Sequence, residues 1–537
     1  MVAANLMNLD ILAHVCQFLA PNVSDISSFS LTCSSIRPVA IRQMLRTCRI
    51  CLNRADEIGL EQFHLFLFAD ISARAPHVRT LSIVRSPWTS PCITVGRSDI
   101  NHVSLIIDIL TACPYVENLS LDLDDGPSAD DANRTIVSAV ASMQSLRSLS
   151  VQAPRDDTLI LLREVLPRLR KLAIDCPPSA NWSIIWSPAT LEELLPRFAP
   201  TLEELAIGMA IVGIKCIHWP SVSNMTQYPG VRSLSINSLV PQPFLADLQQ
   251  LFPALDGTLR IGELDVPMCE DPSPDIRAAN QRAQDTAQNG SWTRVDRVVC
   301  SAQMLYMLGL RCSIRLVRLA PCTSRALCHA AAALRENPVP RLTLSLLLGG
   351  LLQGLDALFS AELAGTLTHL SLQLLYIPRG GGKLGDRNAG AIARLPWSHF
   401  LDRMVAALRP LKALTHLRIA IVSVIHHRSD VASAVQSDQF ISTVLGSSFD
   451  FDGTAAALAA PLPALRYLFV GTSSHFTKLD TGRDGLGPPG RSENVCAARG
   501  WRVAKTGREG GPALVKLSER DVAVTVRREE LVLFDDE

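Results

Sequence analysis

Neither sign of charge dominates this sequence. Lysine and arginine total 51, aspartate and glutamate also total 51, and the net charge is zero. A general nucleic-acid binder needs a basic footprint, so the balance argues against that class. Nor is the charge blocked into tails. Long apolar runs are lacking too: the most apolar stretch, Leu342 to Leu355, is cut by Gly349, Gly350 and Gln353. A bilayer-spanning helix needs about 20 apolar residues, so no membrane association is expected. The first residues carry no basic region and place Asp10 and His14 inside their apolar stretch, which speaks against a secretory signal. Catalytic signatures are missing as well. There is no GxSxG, no P-loop, no HExxH, and no GxGxxG opening a helix after a strand.

Cysteine is present but unorganised. The 14 cysteines are scattered, mostly in apolar stretches, as buried thiols of a reducing compartment would be. The expected location is intracellular, cytoplasmic or nuclear. Cys48 and Cys51 have CxxC spacing, but without a second pair or nearby histidines they read as semi-buried thiols rather than zinc ligands. His426, His427 and Asp430 after an expected strand, and Asp122, Asp124 and Asp125, read as solvated polar groups. No enzyme, cofactor or metal site is expected.

What is there is repetition. A six-residue phrase recurs a dozen times: apolar, polar, polar, apolar, polar, apolar. It begins at Val78, Val116, Leu146, Leu169, Leu202, Val231 and Ile261, and again at Ile314, Val339, Leu367, Leu414 and Leu465. Its last three residues alternate as a strand with one buried face does. One short strand cannot hide its apolar face, whereas a stack of them builds a continuous core. The early steps are 38, 30, 23, 33, 29 and 30 residues, slightly long for leucine-rich repeats, which run roughly 20–29. A later step of 53 residues leaves room for a concealed copy at Val295-Asp-Arg-Val298-Val-Cys300. Return helices fit between the phrases. Asn101 to Cys113 has helical apolar spacing and ends at Pro114, and Thr190 to Leu195 looks like a capped helix start.

The polar positions of the phrases face away from the core, on the concave side of such a stack. They include Arg79, Glu117, Arg315, Arg318, His369, His416, Arg466 and Tyr467. Arg147, Arg170, Lys171 and Arg232, with Glu203 and Glu204 between them, form a mixed-charge strip in the most regular part. It is either a salt-bridged wall or a substrate-binding site for an acidic or phosphorylated segment.

Residues 1–47 differ from the rest and read as three short helices. Leu9-Asp-Ile-Leu-Ala-His-Val-Cys-Gln-Phe-Leu19 and then Ser28-Phe-Ser-Leu-Thr-Cys-Ser-Ser-Ile-Arg37 resemble an F-box. Met7 stands where that family usually has proline and Ile36 where it often has tryptophan. With the repeats behind it, the chain is similar to the divergent F-box/leucine-rich-repeat proteins of mushroom-type fungi. The resemblance implies the substrate-recognition subunit of a Skp-cullin-F-box ubiquitin ligase, with a Skp-type adaptor and a cullin–RING ligase as partners and an unidentified protein as substrate. It implies adaptor contacts from Leu6, Leu9, Ile11, Leu12, Val15, Phe18 and Leu19, with Leu31, Cys33 and Ile36 packing helix to helix or sharing that contact. The alternative is a non-catalytic scaffold whose degenerate F-box binds no adaptor.

The expected fold is α/β. A three-helix F-box spans 1–47, a connecting helical segment 48–70, and a solenoid of short parallel strands with return helices 71–470. A flexible Gly/Ser/Pro-rich segment follows over 471–500. A strand-rich cap over 501–537 uses Trp501-Arg-Val, Ala513 to Leu517, Val522 to Val526 and Leu531 to Phe534. Residues 270–292 are expected to be a polar excursion.

Overall fold

The computed structural model describes residues 9–19, 23–32, 34, 36–53, 56–84, 99–123, 130–152, 155–176, 195–209, 226–236, 245–262, 273–286, 292–348, 355–376, 393–425, 439–446, 449–476, 495–504 and 513–533. The chain divides into two units. The first comprises residues 1–238 with 251–254, and the second residues 239–250 with 255–537. Each is a leucine-rich-repeat stack of mostly parallel strands with helices on the return path.

The first unit opens with helices Leu9–Leu19, Val23–Ser30 and Arg37–Thr47. Their shared core is small: Cys16, Ile26, Val39 and Ala40, with Leu19, Phe29, Ile36 and Met44 packed against it. Pro38 sits in the first turn of the third helix, where its missing N–H costs nothing. Seven parallel strands follow: β1 (Ile50–Asn53), β2 (Thr80–Val84), β3 (Asn118–Asp122), β4 (Ser148–Gln152), β5 (Lys171–Cys176), β6 (Glu204–Met209) and β7 (Ser233–Ile236). β1 precedes the first phrase and opens the stretch expected to be a helical connector. The helix Glu57–Phe68 comes after it, capped by Asp56.

Register converts the phrase into columns. Leu81, Leu119, Leu149, Leu172, Leu205 and Leu234 are successive partners across β2 to β7. All six are buried, as are the phrase starts from Val78 to Val231. The stack therefore delivers the ladder that the alternation requires. Return helices cover it: Asp99–Ala112 buries Ile106, Ile109 and Leu110, and Asp130–Ala141 buries Ile136, Val137 and Val140. The backbone adds a second column. The carbonyl of Arg79 accepts from both Glu117 and Asn118, that of Glu117 from Arg147 and Ser148, and that of Arg147 from Arg170 and Lys171. The pattern continues through Arg170 and Glu203.

The second unit has β8 (Thr258–Ile261), β9 (Arg294–Cys300), β10 (Ser313–Cys322), β11 (Arg341–Leu347), β12 (His369–Tyr376), β13 (His416–Ile425) and β14 (Tyr467–Phe476) in parallel. Two antiparallel strands, β15 (Val495–Ala504) and β16 (Ala513–Lys516), follow in the order of the sheet. The concealed copy is real: Val298 pairs with Val317 and Cys300 with Leu319, in the same columns as Leu342 and Leu344.

Four expectations change here. The phrase at Ile261 is displaced, because Leu259 and Ile261 take the strand positions assigned to Leu264 and Val266. Leu255 is buried one residue ahead of the phrase-start position, and two apolar triplets five residues apart had offered equal alternation. The polar excursion contains a helix, Pro274–Thr286. Its buried polar residues serve neighbouring backbone. Asn280 donates to the Met307 carbonyl (2.8 Å) and accepts from the Leu245 N–H (2.9 Å), and Gln284 donates to the Gly309 carbonyl (3.0 Å). Val522 to Val526 lies in a helix, Glu519–Arg528, not a strand. Ser518 caps it, Glu519 and Asp521 occupy its first turn and Arg527 and Arg528 its last, and this dipole-matched charge outweighs the alternation of valines. Finally, both ends of the Gly/Ser/Pro-rich segment are strand, in β14 and β15. Residues 190–194, 264–266, 426–430 and 477–494 lie outside the described residues, as do Asp124 and Asp125.

Leu172→Ala removes one rung from the middle of the buried column. It is expected to cost about 2–5 kcal/mol in urea denaturation followed by circular dichroism, as buried leucine truncations do. Asn280→Leu should cost about 2–4 kcal/mol despite its apolar gain, because two buried backbone groups lose their partners.

Candidate functional site

Each polar position of the phrase also becomes a column, on the sheet face opposite the leucines or along its rim. In the first unit the strip singled out in the sequence is paired with itself. Arg170 Nη1 lies 3.3 Å from Glu203 Oε1, and Lys171 Nζ lies 2.7 Å from Glu204 Oε1. Arg79 and Glu117 make the same kind of pair at 3.5 Å. Arg147 and Arg170 line a cleft of about 520 Å³ with Glu117, Arg168 and Glu203. Arg232 stands one repeat further along, its N–H donating to the Glu203 carbonyl at 2.8 Å. The paired side chains are about half exposed, and such pairs contribute little in water. Arg170 and Lys171 are thus paired within the strip in the free protein.

The second unit is different. One column runs Arg297, Leu316, Arg341, His369, His416 and Tyr467, and the next Val299, Arg318, Thr343, Ser371, Arg418 and Phe469. Across them lies the segment Glu529–Leu533, which follows the helix Glu519–Arg528. Glu530 receives Arg297 at 3.0 Å, Arg315 at closer range and Arg341 at 3.5 Å. Arg315 also grips Asp296 bidentately, at 2.6 and 2.9 Å. Glu529 lies 3.4 Å from His369 Nε2. The segment's carbonyls are read as well: Arg341 donates to Glu529 O (2.9 Å), Arg418 to Leu531 O (2.7 Å) and Arg318 to Val532 O (2.8 Å). Leu531 and Leu533 are buried. Glu530 has φ +52°, the left-handed region, and is the one non-glycine so placed among the described residues. An L-residue there costs roughly 1–2 kcal/mol, and three arginines hold this one in place.

The electrostatics follow from that cage. The hydrogen bond from Arg315 holds the Glu530 carboxyl below its ordinary range, against burial, with Arg297 and Arg341 assisting. Arg315 does the same for Asp296. Burial alone would raise the Glu529 carboxyl, but hydrogen bonds from Arg528 and His369 hold it low. Burial pushes His416 down to about 4, with His369, Arg341 and Arg466 acting the same way and Glu529 opposing them. His369 is lowered by burial and by Arg341, again against Glu529.

His369, His416 and Glu529 place their donor atoms within 4.8 Å of one another, the spacing of a metal centre. The orientation does not match. The imidazoles stack at 4.2 Å with only 6° between their planes, their orientation set in part by Thr368 and Thr415, whose hydroxyls lie 2.8 Å from each Nδ1. The lone pairs of parallel stacked rings run side by side instead of converging on one ion. Tyr467 extends the stack beyond His416, at 5.2 Å and 17°. The arrangement is an aromatic column ending in a carboxylate.

The adaptor candidates are scattered by the fold. Ile11 is 53% and Leu31 77% exposed, Leu12 is buried, and Val15, Leu19 and Ile36 are half-buried. Leu6 and Cys33, and the side chains of Leu9 and Phe18, lie outside the described residues. Sequence reasoning placed Arg315, Arg318, His369 and His416 on the polar face and offered the first-unit strip as a substrate site. It did not connect the arginine-rich columns of the second unit with Glu529-Glu530-Leu531-Val532-Leu533, 113 to 233 residues away.

No protein family matches this chain, and no curated protein does. Among solved structures it is similar to the Rad7 and Elc1 complex in yeast, at 11% identity and a TM-score of 0.30, over 75% of this chain and 90% of that one. It is also similar to a TLR13–ssRNA13 complex, at 14% identity and a TM-score of 0.26, over 65% of this chain and 46% of that one. Likenesses this distant carry no argument about what the chain does.

The lowered histidines have a consequence for stability. A group whose folded pKa lies below its unfolded value favours folding above the unfolded value, near 6.5 for histidine, and loses that contribution as pH falls toward the folded one. Thermal melts of the full chain should therefore drop between pH 6.5 and about 4. His416→Phe keeps an aromatic plate in the column and should flatten that slope. Parallel pH profiles for the variant and the parent would contradict the assignment.

Proposed function

We propose that this chain is a protein-interaction subunit that performs no chemistry itself. Its N-terminal helices dock a Skp-type adaptor, and through it a cullin–RING ligase. Its repeats hold a protein for ubiquitylation. It works by proximity, raising the local concentration of the held protein beside the ubiquitin-loaded enzyme. Such a role places it in the cytoplasm or nucleus. Among the described residues no helix is long and apolar enough to cross a membrane.

One observation carries the reading. The first helix and the turn after the second expose large apolar side chains, Ile11 and Leu31, while the core the three helices share is Cys16, Ile26, Val39 and Ala40 with partial cover. A domain of this size is marginal alone, and an apolar partner surface would add to its core. The repeats that follow in sequence carry polar columns in which arginine, a favoured anchor at interfaces, recurs.

The exposed pair is the place to test. Ile11→Asp with Leu31→Asp puts two unpaired charges into the proposed contact without touching the domain's own core. Co-expressed Skp-type adaptor should fall at least tenfold in a pull-down, with unchanged circular dichroism. Each buried unpaired charge costs about 2 kcal/mol or more. Undiminished adaptor would remove these residues from the contact. An absence of adaptor from the parent chain as well would leave the scaffold reading.

A further inference from the structure

The polar face of the second unit carries an occupant that the repeats themselves do not require. β9 to β13 are joined by their own ladder, and none of their backbone pairs involves Glu529–Leu533. The segment adds no strand. It is held by side chains reaching up from the columns: arginines 297, 315 and 341 on its carboxylates, and arginines 318, 341 and 418 on its carbonyls. Carbonyl contacts read a peptide backbone regardless of its side chains. The carboxylate cage and the covers over Leu531 and Leu533 add a requirement for acid followed by apolar residues. That is how an interface recognises a peptide.

The hold on this segment is also local. The helix before it packs on β15 beside Gly500, where Val522 comes close. Yet Thr525 is its one buried residue, and Val524 is 55% exposed. The attachment therefore relies on the groove, and the groove relies on ion pairs that salt and competing carboxylates weaken.

We propose that the polar face of β9 to β13 is a recognition groove for a protein segment bearing two adjacent carboxylates followed by apolar residues, and that Glu529–Leu533 fills it as an internal ligand which such a segment must displace. The groove is then closed by default. A tethered occupant acts at roughly millimolar local concentration, so a partner binds only when its own affinity or abundance overcomes that figure. This deepens the reading of the chain as a receptor, because it names the held protein's chemistry and a control on its entry. It is independent of the adaptor contact.

The probe is a fluorescein-labelled peptide with the sequence of residues 518–533, titrated by anisotropy into the full chain. In the chain carrying Glu529→Lys and Glu530→Lys, the segment should leave the arginines, and the peptide should bind at least tenfold tighter than it does to the parent. Adding Arg315→Glu and Arg341→Glu should abolish that binding. Equal binding to parent and variant, or no binding to a variant with parental circular dichroism, overturns the proposal. Hydrogen exchange on the parent chain gives a reading that needs no substitution. An excess of isotopically heavy peptide should deprotect the amides of residues 529–533, and unaltered exchange overturns the proposal as well. Neither measurement includes an adaptor, so a negative result here leaves the N-terminal contact standing, and loss of that contact leaves this one.

Discussion

In-register parallel pairing is the constraint on which the rest of each unit depends. Strand for strand, the fourth residue of one phrase meets the fourth residue of the next, as Leu149 meets Leu172 and Leu172 meets Leu205. A pattern that is linear in sequence becomes a set of columns in space. Leucines collect into a core, second-position carbonyls into a shared acceptor row, and polar residues into rows of like position. A slip of one residue would turn every apolar side chain to the wrong face, so burial fixes the register strongly. The chemistry of either polar face is then a matter of which residue types the repeats place in each row.

The two units use those rows differently. In the first, opposite charges on adjacent repeats pair, Arg170 with Glu203 and Lys171 with Glu204, and the rows are partly neutralised from within. In the second, arginines recur, and Glu529 and Glu530 supply part of their balance from elsewhere in the chain. A buried or half-buried guanidinium needs acceptors, which here are the Glu529 and Glu530 carboxylates and the carbonyls of Glu529, Leu531 and Val532.

Much of the architecture was legible because the alternation and its recurrence are local signals. The ladder from Leu119 to Leu234 and the concealed strand at Val295 follow from spacing alone. Where two alternating triplets lay five residues apart, as at Leu259 and Leu264, spacing could not choose between them. Where alternation competed with capping, as at Val522 to Val526, the cap and charged ends prevailed. In Pro274–Thr286 the polar composition concealed a helix, because Asn280 and Gln284 are buried for hydrogen bonding and not for apolar contact. The groove was the least legible feature. Its partners are separated by 113 to 233 residues, and no local period connects Arg297 or Arg341 with Glu529 and Glu530. In the N-terminal helices, spacing identified the apolar positions but could not separate Leu12, which faces in, from Ile11, which faces out.

The double acceptor row has a bearing on how such a chain can change over generations. Because the strand and the carbonyl beside it define each repeat, the connecting path is nearly free to vary. Doubling a loop costs only about 0.6 kcal/mol of closure entropy, less than the loss of a single core leucine. Insertions are thus tolerated far more readily than core substitutions. Here the interval from one phrase to the next ranges from 19 residues, Val295 to Ile314, to 51, Leu414 to Leu465. Descendants of one ancestor could keep these columns while their lengths and surfaces diverge, until comparison along the sequence no longer detects the kinship.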